Sequence, residues 1–329
     1  KGVVYVMVYP NSNIKVFSLN SNFQLAQEIV NLLGIELGKS SIKRRSDGEI
    51  QLNIEESIRG CDTYLVQSIS RLGNEYIMEL LIMIDALRRA SAKSINVVIP
   101  YYGYARQDSE SGTRQPIPSK LIANLLETAG ATRVVTIDLH SASIEGFFNI
   151  PVDHLSAIQT LSDYFVEKDV SDIVVVFSDN SSALRARKLA RFLNAPIAFI
   201  DRRYYAPEEA EKVDVIGKVE GQTAIIIDDI VDTGENVLLT TNILMEHGVK
   251  DVYGCFTHGV LSGSSVEKIV HSNIKELVIT NTITLPKIKN IEKVKVLSIA
   301  PLLTEAIRKI QNKGAGAKTL RQLQVTLKT

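Results

Sequence analysis

An α/β fold built from mostly parallel sheets is what this sequence predicts, and two observations carry that reading. Short β-branched runs at 95–100, 173–177 and 225–227 alternate with longer stretches of helically spaced apolar residues. That alternation is the signature of βα units whose strands are buried on both faces. It also runs through both halves of a 329-residue chain, which is long enough for two domains of ordinary size. The expected boundary lies near residue 155, giving domains 1–155 and 156–329, with the last helix free to pack back on the first domain.

Composition excludes several classes. Apolar residues make up 45% of the chain, but no unbroken run approaches a membrane span. Lys plus Arg and Asp plus Glu both number 37, so bulk nucleic-acid binding is not expected. Cys61 and Cys255 are far apart and form no CxxC or Cys/His cluster. This points to reduced thiols and a cytoplasmic location rather than a zinc site.

In chain order, 14–18 reads as a first strand. Ser21 and Gln24 suggest a capping box for a helix to Leu33, with Gly34 as its stop. Asp47-Gly48 reads as a hairpin turn before the alternating strand Ile50-Leu52-Ile54. A strand at 62–68 precedes a helix at 74–90, where Ile77, Leu80, Leu81, Ile84 and Leu87 follow helical spacing. The strand 95–100 leads into Tyr101-Tyr102-Gly103-Tyr104-Ala105-Arg106-Gln107-Asp108, whose aromatics beside Gly and Arg suit a nucleotide lip. A polar loop rich in Ser, Gly and Pro follows to Pro118, and mobility is expected there. A helix at 120–128 stops at Gly130, and the strand 133–137 delivers Asp138-Leu139-His140.

The second half repeats the pattern. The strand 173–177 ends in Ser178-Asp179-Asn180-Ser181-Ser182, an N-capping loop for a helix at 183–193. The strand 196–200 runs into Asp201-Arg202-Arg203-Tyr204. In Ile225–Leu238, read IIIDDIVDTGENVL, an apolar strand brings Asp228 and Asp229 to the carboxyl edge of a sheet, where ligands bind in open α/β folds. The turn Asp232-Thr233-Gly234 then offers backbone N–H groups at a helix N-terminus, a natural phosphate cradle. A helix at 237–246, strands at 252–256, 277–280 and 294–297, and a final helix at 300–310 complete the pattern.

These strings resemble one family. The 228–236 loop is similar to the phosphoribosyl-pyrophosphate loop of the type I phosphoribosyltransferase fold, whose pattern is close to DDxxDTxGT. From about Val16 to Ile310 the chain resembles the bacterial-type class I ribose-phosphate pyrophosphokinases (phosphoribosyl pyrophosphate synthetases). Asp47-Gly48-Glu49, Ala105-Arg106-Gln107-Asp108, Phe147-Phe148-Asn149-Ile150-Pro151-Val152-Asp153, Thr257-His258-Gly259-Val260-Leu261-Ser262-Gly263 and residues 297–310 carry the likeness.

The resemblance implies two tandem type I phosphoribosyltransferase-like domains, each a mostly parallel sheet flanked by helices. It implies transfer of the pyrophosphoryl group of Mg-ATP to ribose 5-phosphate, with Mg2+ as cofactor. Asp47, Gly48, Glu49, Arg106, Gln107 and Asp108 would bind ATP, the first three reaching a neighbouring subunit's nucleotide. Asp228, Asp229, Asp232, Thr233, Gly234, Glu235 and Asn236 would hold ribose 5-phosphate. Asp138, His140 and Asp179 would attend the metal, and His140, Arg202 and Tyr204 occupy catalytic positions. A homo-oligomer is implied, a hexamer built from dimers.

The chain departs from the family where the chemistry lies. Arg45 replaces Phe, Ser109–Ser111 replace basic residues, and Ser181-Ser182 replace two glycines. Arg202 stands for Lys, Tyr204 for Arg, and Glu235-Asn236 for Gly-Thr. Two readings stay open: a synthetase impaired by these changes, or a divergent, non-catalytic paralogue that regulates or co-assembles with active subunits.

Overall fold

The computed structural model describes residues 13–110, 112, 114–203, 212–286, 289 and 291–312. In chain order the elements are β1 (Ile14–Ser18), α1 (Phe23–Leu33), β2 (Ser40–Arg44), β3 (Ile50–Ile54), β4 (Asp62–Val66), α2 (Gly73–Arg89), β5 (Ser94–Ile99), α3 (Pro118–Ala129), β6 (Arg133–Ile137) and β7 (Val152–Leu155). There follow α4 (Ile158–Glu167), β8 (Ile173–Phe177), α5 (Ala183–Leu193), β9 (Ile197–Arg203), β10 (Lys212–Ile216), β11 (Thr223–Val231) and α6 (Glu235–Glu246). The last are β12 (Asp251–Gly259), α7 (Ser265–Val270), β13 (Ile274–Thr280), β14 (Val294–Leu297) and α8 (Ala300–Gln311).

The chain divides into two compact units. Of the described residues, one unit takes in those from 13 to 136, then Ala142–His154, then those from 300 to 312; the other holds Ile137–Ser141 and those between Leu155 and Ile299. The first unit is organised on a five-stranded sheet in the order β1-β4-β5-β6-β7. Its strands β1, β4, β5 and β6 pair in parallel. Val16, Phe17, Leu65, Val97 and Val134 from the strands are fully buried, as are Leu25, Ile29, Leu80, Ile84 and Leu126 from the helices. α8 packs on α1 and adds Leu303 and Ile307 to this core. Arg308 donates to the Leu32 carbonyl at 2.6 Å, and Gln311 to the Tyr64 hydroxyl at 2.9 Å.

Ser21 does not cap α1. The N-cap is Asn22 and makes no side-chain cap bond. The Ser21 hydroxyl instead accepts from the Ser68 amide at 2.7 Å, and its own amide donates to Gln67 Oε1 at 3.0 Å. The buried end of β4 outcompeted the local capping pattern, because an unpaired buried amide is costlier than an uncapped helix end.

Strands β2 and β3 form a separate antiparallel hairpin. The expected Asp-Gly turn closes it: Gly48 has φ +93, and Glu49 donates its amide to Asp47 Oδ1 at 3.0 Å.

The second unit carries a seven-stranded sheet in the order β10-β9-β8-β11-β12-β13-β14. Among the described residues its neighbouring strands pair in parallel, except β10 with β9, which is antiparallel. Val174, Val176, Ile226, Val252, Leu277 and Ile279 lie in its core. Winding runs outward from β8 in one direction and from β11 in the other, so the chain reverses between them. That switch point is where open α/β sheets bind ligands. Among the described residues, no helix is long and apolar enough to cross a membrane.

Candidate active site

The loops after β8 and β11 flank the switch point. β11 runs on to Val231, so Asp228 and Asp229 sit inside the strand end rather than at its tip. The turn then reaches Gly234, in the left-handed region at φ +80, and α6 starts at Glu235. Glycine suits that conformation because a Cβ there would be strained. The Thr257–Gly263 stretch braces this turn from behind. Val260 and Leu261 donate to the Val231 carbonyl at 3.0 and 3.1 Å, and Ser262 donates to that of Asp232 at 3.1 Å.

Glu235 is exposed and pairs with Lys268 of α7 at 3.0 Å. A carboxylate in the first turn is favourable for the helix dipole, which accounts for an acid at the start of α6. Its charge is answered from the side by Lys268.

The two aspartates sit in different electrostatic surroundings. Burial and the neighbouring Asp229 charge push the Asp228 carboxyl well above the ordinary range. Burial alone would raise Asp229 too, but the hydrogen bond from His140 and the Arg185 charge hold it well below that range. Nδ1 of His140 lies 2.8 Å from Asp229 Oδ2. This contact raises the imidazole above its usual value despite partial burial. Arg185 of α5 stands 3.7 Å from the same carboxylate and donates to the Leu139 carbonyl at 2.8 Å. Ser182 donates its hydroxyl to Asp228 Oδ1, which also accepts the Asp229 amide at 2.8 Å. The Ser182 hydroxyl is thereby turned onto the acid pair.

Asp138 is buried, with φ +36. Its Oδ1 accepts from Ser156 at 3.0 Å, and its Oδ2 from the Ala157 amide at 2.9 Å and Thr257 at 2.7 Å. Its carbonyl lies 3.2 Å from His258 Nε2, while His258 Nδ1 lies 3.0 Å from the Thr282 hydroxyl. A carbonyl only accepts, so Nε2 carries the proton. Burial keeps this imidazole below its usual value.

In the first unit, Arg106, Gln107 and the tip Asp47-Gly48-Glu49 are exposed, and Asp108 is half-buried. The lip is rigidly seated beneath them: Tyr102 is buried and donates to the Ser119 carbonyl at 2.9 Å. Gly103 is pressed so close that a Cβ would stand 2.4 Å from the Ile69 carbonyl oxygen.

Of the expected site residues, the fold brings together His140, Asp228 and Asp229 around Arg185, and it orders Thr233, Gly234 and Glu235 at the head of α6. Asn236 lies in the first turn of that helix. Asp179 is exposed and caps a 3-10 turn, accepting the Ser181 amide at 2.8 Å. Arg202 lies in β9, but its side chain, like all of Tyr204 and Ser111, falls outside the described residues. Sequence reasoning missed Arg185 and Lys268; both look like ordinary surface cations of amphipathic helices, and only their placement across the fold distinguishes them.

Among the described residues, no three His, Cys, Asp or Glu side chains form a group that could hold a metal ion. Mg2+ does not need such a group, since it keeps its waters and binds through one or two protein groups plus phosphate oxygens.

Paired α/β units with a DDxxDTG-type strand, turn and helix define the class: a protein of the type I phosphoribosyltransferase fold. Residues 14–130 match the N-terminal domain of ribose phosphate pyrophosphokinase, and 200–321 match the phosphoribosyl synthetase-associated domain. The chain is 60% identical over 302 residues to a ribose-phosphate pyrophosphokinase of Bacillus cereus, covering 92% of this chain and 95% of that protein. It is 58% identical to that of Bacillus subtilis over the same shares. A crystal structure of phosphoribosylpyrophosphate synthetase from Mycobacterium smegmatis superposes with TM-score 0.87 at 39% identity, covering 92% of this chain and all of that one. The chain belongs to the ribose-phosphate pyrophosphokinase family.

Proposed function

We propose that this chain is a working ribose-phosphate diphosphokinase. It transfers the pyrophosphoryl group of Mg-ATP to the C1 hydroxyl of ribose 5-phosphate, giving phosphoribosyl pyrophosphate and AMP. The observation that carries the reading is the Glu235–Lys268 pair. The most disruptive departure from the family loop is electrostatically answered, and the Gly234 turn keeps its left-handed geometry.

In this reading the 5-phosphate sits on the amides of 233–236 at the head of α6. Asp228 and Asp229 receive the sugar hydroxyls. His140, oriented through Nδ1 by Asp229, presents Nε2 toward the polyphosphate. Asp47, Glu49, Arg106, Gln107 and Asp108 take the nucleotide. Mg2+ would be held by His140 and Asp179 together with phosphate oxygens, and when bound it neutralises phosphate charge. We assign Asp138 to positioning, since its oxygens serve Ser156, Ala157 and Thr257. Arg202 supplies the cation of the family's lysine position, and most of the rate comes from alignment and charge neutralisation. We further propose a cytoplasmic hexamer built from dimers.

The substitutions at Arg202 and Tyr204 favour a second reading, a non-catalytic paralogue that co-assembles with an active synthetase. Release of AMP from purified protein, with Mg-ATP and ribose 5-phosphate, separates the two. Turnover dependent on ribose 5-phosphate supports the enzyme. Binding of both substrates without turnover, with co-purification of an intact synthetase, supports the paralogue.

A further inference from the structure

The hairpin β2–β3 turns a half-buried face, Ile42, Ile50, Leu52 and Ile54, toward its unit, with β3 against α2, and leaves its tip outside that packing. It forms a two-stranded sheet of its own, and residues 43–49 are all exposed. An isolated two-stranded hairpin is marginal in water, so the exposed tip gains its placement from side chains that tie it to the unit. The base is tied by Glu56, which pairs with Lys15 and accepts the Lys39 amide at 2.7 Å. Nearer the tip, Arg44 reaches α2, with 2.7 Å to Glu75 and 3.1 Å to Glu79.

Glu79 is the unusual partner, because its side chain is 0% exposed. Its Oε1 accepts from Asn20 at 2.8 Å and Arg44 at 3.1 Å, and its Oε2 accepts from Gln67 at 3.1 Å. Gln67 cannot be flipped without loss, since its Oε1 already accepts the Ser21 amide. Every neighbour is thus a donor, the set that an acceptor-only carboxylate requires. A wholly buried carboxylate is expensive unless a cation pairs with it, and that cation sits on the hairpin.

We propose that Arg44 is a positioning residue: the buried Glu79 anchors it, and this bolt fixes the hairpin tip, Asp47 and Glu49, for nucleotide binding. The nucleotide role of the tip rests on the function proposed above, whereas the anchoring does not. The charge is placed so that withdrawing the hairpin would strand Glu79 unpaired, which holds the hairpin down more firmly than a surface pair would.

The test uses Arg44→Met, Arg44→Lys and Arg44→Met/Glu79→Gln in the full chain. Hydrogen exchange reads the tip directly through the amides of Arg45, Gly48 and Glu49, which are bonded within the turn. Arg44→Met should accelerate their exchange about tenfold and raise KM for ATP about tenfold. KM for ribose 5-phosphate should stay within about twofold, and Arg44→Lys should fall between. In the double variant overall stability should recover, because no charge is left stranded, while KM for ATP stays high. Unchanged tip exchange overturns the anchor. A parallel rise in both KM values, or recovery of ATP KM in the double variant, overturns the positioning role. If the wild-type chain releases no AMP, the proposed function fails; tip exchange and ATP affinity by calorimetry then decide the anchor by the same criteria.

Discussion

The imidazole of His140 and the carboxylate of Asp229 meet at 2.8 Å although 89 positions separate them in sequence. Asp229 is almost wholly buried and Arg185 backs it from α5. The ring is therefore held by a carboxylate that is itself held, the arrangement in which a histidine keeps one tautomer and one direction. Asp229→Asn should lower kcat about a hundredfold with a smaller change in either KM. Steady-state AMP release checks this, and an unchanged kcat would remove the pair from the chemistry.

Burial of His258 makes stability depend on pH. Its folded pKa lies below the ordinary value because it is buried. The unfolded chain therefore binds a proton that the folded chain refuses. The contribution is present above about pH 6.5 and is lost as pH falls below it. His258→Gln should cost about 1–2 kcal/mol near neutral pH through lost hydrogen bonds. The gap between wild type and variant in urea unfolding should narrow on moving to about pH 5.5, and a constant gap would contradict the burial argument.

Glu235 and Lys268 form a surface pair, worth at most about 1 kcal/mol to stability. The effect on an anion at the same helix start should be larger. Lys268→Ala is expected to raise KM for ribose 5-phosphate about threefold to tenfold by exposing the Glu235 charge. The same change in a Glu235→Gly background should do little. A double-mutant cycle measures the coupling directly, and additive effects would separate Lys268 from the loop.

Gly103 sits where a methyl group would strike backbone as well as a side chain. A Cβ would lie 2.4 Å from the Ile69 carbonyl oxygen and 2.4 Å from Ile69 Cγ2. Gly103→Ala should cost about 2–4 kcal/mol by overpacking. It should also displace Arg106 and Gln107 and raise KM for ATP more than that for ribose 5-phosphate. Thermal unfolding and paired KM values test both parts.

Sequence by itself determined the α/β class, most strand and helix positions, the Asp-Gly turn at 47–48 and the strand–turn–helix at 225–246. These are local matters: apolar period, turn chemistry and capping are written within a few residues of where they act. Even there competition intervened, as when Ser21 left its helix end to serve the Ser68 amide. Tertiary structure alone decided the partners. The order β8-β11-β12 brings the chain around Arg185, Asp229 and His258 together, and nothing local marks Arg185 apart from its neighbours on α5. It also turned Asp138 into a buried hydrogen-bond hub, set Lys268 beside Glu235, and placed Arg44 on a carboxylate sealed from water. Charges and hydrogen bonds act through space over a few ångströms, so which ones meet is settled by sheet order and helix packing rather than by spacing along the chain.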